Sequence, residues 1–330
     1  MGGTPIKDAL DGAITAIAAA GCKTPRLDAE VLFAHVLGIS RERLIAGSGS
    51  GSAAVAAAGG APDRDLTISG PDVRAVQNAV RRRAIEREPV AYITGIRGFR
   101  RLELAVDRRA LIPRPETELL VELAVARLPR GARVLDVGTG SGAVALALAD
   151  ERPDLIVSGS DVSEDALELA RANGGRMGLR VDWLRADLLA GVPDEYGAIV
   201  SNPPYVAESE RDGLAPEILR HEPAGALFAG PDGLDVISPI DDQVELSALG
   251  AADPVALHGL DPLRPVQIDQ CVEQLIGVGR DAEEPLLQVP LDHEVPRALA
   301  APVREHLLVR EHRLAARAPV DRRVGAVGET

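Results

Sequence analysis

Apolar residues recur through the first part of the chain at three- and four-residue steps. Ile6, Leu10, Ile14 and Ile17 share one helical face, and Gly21 is placed to end that helix. Leu27 to Leu37 is a second apolar run, closed by Gly38, and Ser40 can cap a short third turn through Leu44 and Ile45. His35, inside the second run, reads as a core or boundary histidine rather than a metal ligand. Pro71 opens another helix, with Val73, Val76 and Val80 facing inward and Arg81, Arg82 and Arg83 forming a solvated outer face. Between these helices, Gly47 to Gly60 is almost all Gly, Ser and Ala, the composition of a flexible linker. Residues 1–88 therefore read as a helical domain carrying an insertion over 47–70.

The period changes after Tyr92. Leu102, Leu104 and Val106 alternate as in a strand, and Phe99 with Gly95 and Gly98 precedes them. Residues 89–114 are expected to form a hairpin that links the helical domain to the rest of the chain. The run Ile112-Pro113-Arg114-Pro115-Glu116-Thr117-Glu118 then leads into a helix through Leu119, Leu120, Leu123 and Val125. Two prolines fix the approach of the chain, and acidic residues in the first turn suit the helix dipole.

From residue 115 to 237 the pattern is that of alternating buried strands and helices. Arg133 to Val137 runs straight into Gly138-Thr139-Gly140-Ser141-Gly142, and an apolar helix follows from Ala143 to Ala149. A glycine-rich turn between strand and helix lets a ligand lie against bare backbone at the carboxyl edge of a sheet. Asp161 ends the next strand about 20 residues on, where a carboxylate can accept from two ribose hydroxyls. Asp187 closes a third strand around Val181 to Leu184, in reach of an adenine amino group. Gly138, Gly140 and Ala143 also satisfy the dinucleotide fingerprint, so these features alone suit an NAD-binding oxidoreductase equally.

The fourth strand, Ala198-Ile199-Val200, changes that balance. It stops at Ser201-Asn202-Pro203-Pro204-Tyr205. Neither proline has an N–H, each has a fixed φ, and the residue before each is held out of the helical region. The result is a stiff loop that presents a side-chain amide, a proline carbonyl and an aromatic ring. Two such acceptors can hold a planar –NH2 group by its two hydrogens. A nicotinamide enzyme has no use for that clamp, whereas a methyltransferase acting on an –NH2 group has.

Composition narrows the class further. A chain of 330 residues with a net charge of −14 is poorly suited to gripping phosphate backbones. Cys22 and Cys271 provide neither a disulfide framework nor metal-ligand spacing, which fits a reducing cytoplasm. No metal site and no membrane span are expected.

Taken together, Asp136 to Gly142, Asn202 to Tyr205 and Ile112 to Glu118 resemble the HemK/PrmC family. His221-Glu222-Pro223, Ala226-Leu227 and Gly230 to Asp235 are similar to that family's segment after the Asn-Pro-Pro-Tyr loop. The likeness runs from about Ile6 to Ile237. It implies a doubly wound α/β, Rossmann-like methyltransferase core that uses S-adenosylmethionine, and an N-terminal helical domain that binds substrate. The reaction it implies is methylation of the glutamine side-chain nitrogen in the Gly-Gly-Gln motif of peptide chain release factors. Gly138, Thr139, Gly140, Ser141, Gly142, Asp161, Asp187, Leu188 and Asn202 would hold the cofactor. Asn202, Pro203, Pro204 and Tyr205 would hold the glutamine, with Asn202 and Pro203 as the catalytic pair. Leu188 stands where some members carry an aromatic residue. The implied protein is a cytoplasmic monomer that binds release factors and no nucleic acid directly. The alternatives are an adenine-amino DNA methyltransferase sharing Asn-Pro-Pro-Tyr, or a non-catalytic module that binds cofactor or release factor.

The likeness stops at Ile237. From Ala229 to the end there is no Phe, Tyr, Trp, Met or Lys, and prolines recur at Pro254, Pro262, Pro265, Pro285, Pro290, Pro296 and Pro302. Residues 238–330 therefore read as an atypical tail, matching a shifted reading frame better than a divergent appendage. The C-terminal part of the sheet is expected to be missing or replaced, leaving the Asn202 strand with an unpaired edge.

Overall fold

The computed structural model describes residues 4–47, 67–193, 196–240 and 308–311. The helical layer holds α1 (Ile6–Ala19), α2 (Pro25–Leu37), α3 (Arg41–Gly47), α4 (Gly70–Ala84) and the short α5 (Val90–Thr94). Ile6, Leu10 and Ile17 of α1 are buried together with Leu32 and Phe33 of α2, Leu44 of α3 and Val76 and Ala79 of α4. A large apolar side chain buried in this way stabilises the fold by about 1.5–3 kcal/mol. A two-residue ladder pairs β1 (Thr4–Pro5) with β2 (Thr67–Ile68) beside these helices. The linker-like composition before β2 lies mostly outside the described residues.

Two expectations in this layer need correction. His35 is exposed on α2, neither core nor boundary. Arg83 is buried, not solvated. It lies seven residues, about two turns, beyond Val76 and four residues beyond Ala79, so the inward stripe of α4 includes it. Its guanidinium donates to Asp28 at 2.6 Å and to Glu217 at 3.3 Å, which offsets the cost of burying the charge. Arg87 also reaches Glu217, at 2.7 Å. Glu217 belongs to a segment more than a hundred residues downstream, so this knot ties the helical layer to the core.

Within residues 89–114, after α5, β3 (Ile96–Phe99) and β4 (Leu102–Ala105) form an antiparallel hairpin with Phe99 opposite Leu102. After the turn Pro115–Thr117 comes α6 (Glu118–Arg127). The core then alternates β5 (Arg133–Val137), α7 (Ala143–Glu151), β6 (Ile156–Asp161), α8 (Glu164–Met177), β7 (Asp182–Arg185) and β8 (Ala198–Ser201), followed by α9 (Pro216–His221). Strands β7, β6, β5 and β8 lie side by side and parallel in that order. Alternate β5 residues face opposite ways. Val134 packs with the helices α6 and α7, whereas Leu135 and Val137 pack with Ile199, Tyr196 and Ile240.

The other side of β8 is not an open edge. β9 (Leu308–Glu311) pairs with it antiparallel, Ser201 opposite Leu308 and Ala198 opposite Glu311. The expected unpaired edge is thus filled by a short tail segment, because buried strand N–H and C=O groups require partners. Residues 241–307 and 312–330, on which the reading-frame expectation rests, lie outside the described residues.

The strand order sets the position of any site. The chain proceeds outward from β5 to β6 to β7, then returns to place β8 on the opposite side of β5. That reversal opens a crevice between the carboxyl ends of β5 and β8, where open α/β sheets bind ligands.

Candidate active site

The crevice holds a cavity of about 320 Å³. Its floor is the turn after β5. Gly138, Gly140 and Gly142 all have positive φ, at 71°, 55° and 84°. At Gly138 a Cβ would meet no protein atom within 4 Å, so the bare backbone there leaves room in the cavity and serves no packing need. Gly142 is different. Its missing Cβ would lie 3.0 Å from both Leu146 and Trp183, and the residue sits behind the turn, outside the cavity lining.

Two carboxylates shape the turn. Asp136, at the end of β5, is 2% exposed and accepts from Thr139 Oγ1 at 2.6 Å and from the Ala145 N–H at 3.1 Å. It thereby ties the turn to the first turn of α7. Burial pushes its carboxyl up to about 7, against the two hydrogen bonds, and the nearby Asp161 charge adds to the rise. Asp161, at the end of β6, accepts from the Gly140 N–H through Oδ2 and from the Ser163 N–H through Oδ1, both at 2.9 Å. Each oxygen keeps a second lone pair, and Asp161 lines the cavity. Asp187 and Leu188, beyond β7, line it as well. Leu188 has φ 53°, a left-handed conformation uncommon for a residue of its size.

At the opposite wall β8 delivers Ser201 and Asn202. Ser201 Oγ donates to the Val137 carbonyl at 2.8 Å, joining the ends of the two central strands. Asn202 Nδ2 donates to Thr117 Oγ1 at 3.0 Å. Pro203 and Pro204 continue along the lining. Tyr205 does not line the cavity. Its backbone carbonyl lies against Gly233, whose missing Cβ would be 2.4 Å away. The 205–208 segment is held by main-chain bonds to 227–230, including Val206 N–H to Leu227 at 2.9 Å.

The structure thus gathers Gly138, Thr139, Gly140, Ser141, Asp161, Asp187, Leu188, Asn202, Pro203 and Pro204 around one cavity, and leaves Gly142 and Tyr205 outside its lining. Thr117, Arg114 and Ile240 also line it, although no local pattern assigned them a site role. Arg114 donates to both oxygens of the buried Glu222, at 2.8 and 2.9 Å, and so carries Pro223 to the cavity wall. The Pro113-to-Thr117 element was visible as a motif. Its partners, 85 and 108 residues away, were not.

Chemically, the walls divide into two kinds. One end offers bare backbone and carboxylates suited to hydroxyl and amino donors, and the other offers a side-chain amide with a proline pair. Among the described residues no group of His, Cys, Asp and Glu could hold a metal ion, and no helix is long and apolar enough to cross a membrane.

Two family descriptions match the chain. The methyltransferase small domain covers residues 115–229, and the PrmC N-terminal domain covers residues 8–51. The release factor glutamine methyltransferase of Deinococcus radiodurans is 40% identical over 260 residues, 78% of this chain and 86% of that relative. The same enzyme of Mycolicibacterium smegmatis is 42% identical over 246 residues, 72% of this chain and 78% of that relative. That of Koribacter versatilis is 37% identical over 243 residues, 72% of this chain and 81% of that relative.

Proposed function

We propose that this chain, which belongs to the family of release factor glutamine methyltransferases, methylates the side-chain amide nitrogen of a glutamine in a peptide chain release factor. The target fitting the family resemblance is the glutamine of a Gly-Gly-Gln motif. The observation that carries the reading is the juxtaposition, across one crevice, of the Gly138–Ser141 turn with Asn202 and Pro203.

The cofactor is S-adenosylmethionine, and the residues present fit it. Gly138 leaves open space where any other residue would intrude, and Asp161 retains lone pairs for ribose hydroxyls. Gly138 to Ser141, Asp161, Asp187 and Leu188 would hold it. When bound, it supplies a sulfonium methyl group open to in-line displacement.

The work of the protein is done on the nucleophile. An amide nitrogen is a poor one, because its lone pair is delocalised into the carbonyl. The Asn202 side-chain oxygen and the Pro203 carbonyl each accept one N–H of the glutamine amide. That fixes the nitrogen with one face towards the methyl donor and removes the entropic cost of finding that pose. The same two acceptors favour the positive charge that grows on nitrogen as the new N–C bond forms. The methylated nitrogen then releases a proton to water without a strong base. Proline at both following positions keeps the acceptors still, since neither φ can relax.

The test uses the full chain, a full-length release factor and cofactor labelled in its methyl group. Label should appear on one glutamine, located by peptide mass spectrometry, and vanish when that glutamine is replaced by alanine. Label that instead goes to added duplex DNA would favour the adenine-amino alternative, which shares only the Asn-Pro-Pro-Tyr loop.

A further inference from the structure

The two halves of the site hang on the ends of neighbouring strands. Val137 is the last residue of β5 and leads into the Gly138 turn, and Ser201 is the last residue of β8 and leads into Asn202. They face each other as the final register pair of the β5–β8 ladder. Beyond that pair the main chain has little with which to hold the clamp to the sheet, because Pro203 and Pro204 have no N–H. Past the prolines the chain turns away, and the Val206 N–H bonds to the Leu227 carbonyl at 2.9 Å.

At the final pair a side chain adds its own bond. Ser201 Oγ lies 2.8 Å from the Val137 carbonyl oxygen. A carbonyl can only accept, so the hydroxyl proton is committed to this bond and its direction is fixed. Ser201 is 0% exposed and Val137 2%, which leaves water little access to compete. The last residue before the clamp is thereby fixed against the last residue before the turn. We propose, on the clamp reading above, that Ser201 is a positioning residue for the methyl transfer: its hydroxyl sets the spacing between the Asn202–Pro203 acceptors and the Gly138–Ser141 turn, and so between the glutamine nitrogen and the methyl donor.

In-line displacement is sensitive to that spacing. The reacting atoms have to stand about 3–3.5 Å apart, and a misplacement of about 1 Å can cost about 10² in rate. Removing the hydroxyl leaves the ladder in place and loosens its end, so part of that factor, about tenfold, belongs in kcat. Each ligand alone still meets its own half of the site intact. Ser201 also lines the cavity, so the rival role for its oxygen is direct contact with a ligand.

Ser201→Ala in the full chain removes the hydroxyl without adding bulk. It should lower kcat on full-length release factor about tenfold, with KM for release factor and calorimetric affinity for S-adenosylhomocysteine each within about twofold of the parent. Ser201→Cys fills the space but brings only a weak donor, and should also fall well below the parent. A cysteine variant that turns over like the parent while alanine is impaired would make the role one of filling space, and overturns the proposal. Loss of affinity for either ligand alone would mark direct contact and overturns it too, as does an unchanged kcat in Ser201→Ala.

A readout independent of turnover is a bisubstrate ligand in which a short carbon bridge joins the adenosyl group to a glutamine amide nitrogen. It occupies both halves of the site at one spacing, so it should bind the parent more tightly than S-adenosylhomocysteine does. That advantage should shrink about tenfold in Ser201→Ala. An undiminished advantage overturns the proposal, even where alanine lowers the thermal midpoint, as loss of a merely structural bond would. No advantage in the parent, or normal turnover by Asn202→Ala, would instead remove the clamp reading itself, so the two failures are distinguishable.

Discussion

Asp161 has two tasks in this structure, and Asp161→Ala separates them. Without ligand, its oxygens take the Gly140 and Ser163 N–H groups at 2.9 Å each. Bonds to an ionised acceptor contribute about 1.5–3 kcal/mol apiece. The residue is partly exposed, so water replaces part of the loss and the lower end applies, about 3 kcal/mol for the two. In a fold of this size that lowers the thermal midpoint by about 6–12 °C. With ligand, a ribose hydroxyl also loses its charged acceptor, a further factor of about ten in affinity for each such bond. Thermal melting without cofactor reads the first effect, and calorimetry below the new midpoint reads the second. Asp161→Asn should fall between, because one backbone N–H would then face an amide –NH2. A midpoint that drops while affinity stays at the parent value would make Asp161 an anchor of the turn alone and refute its cofactor role. No change in either would refute both.

The same walls carry other consequences. Gly159 lies in β6 where a Cβ would come within 2.6 Å of the Trp183 ring and 2.9 Å of Thr139 Oγ1, so Gly159→Ala should cost about 1–3 kcal/mol by overpacking. Trp183 is the single tryptophan of the chain, so its fluorescence should report the displacement; an unchanged spectrum and midpoint would contradict the contact. Asp136 has its carboxyl raised to about 7 by burial, so the folded state binds more protons than the unfolded between roughly pH 4 and 7. Its contribution to stability therefore falls as pH rises through that window. Asp136→Asn keeps an oxygen for Thr139 and Ala145, and should flatten the dependence measured by thermal melts; parallel curves for variant and parent would speak against it.

The sequence was most readable where one local rule decided the outcome. Arg133 to Val137 reads as a strand because a short apolar run, buried from Val134 to Val137, meets a glycine cluster, and the glycines after it turn because they adopt positive φ at least cost. The stops at Gly38 and Gly21 were legible for the same reason. What stayed hidden depended on partners far along the chain. Arg83 looked solvated until Asp28 and Glu217 were seen around it. The edge of β8 looked open because nothing in the composition of the tail marks Leu308–Glu311 as its neighbour. Thr117 reads locally as the entry to α6, and only the folded chain reveals Asn202 beside it. Half of the candidate site was thus a matter of pattern, and the remainder a matter of which distant segments meet.

The central claim is that Asn202 holds the substrate amide and does not simply end a strand. Its most direct test is methyl transfer from labelled S-adenosylmethionine to full-length release factor by Asn202→Ala, normalised to the fraction of enzyme with cofactor bound. Removing one preorganised transition-state acceptor typically costs about 10²–10³ in rate. The account predicts a loss of that size with cofactor affinity nearly intact. A variant that turns over normally per cofactor-bound molecule, or that loses cofactor binding and thermal stability together with no separate loss of rate, would contradict it.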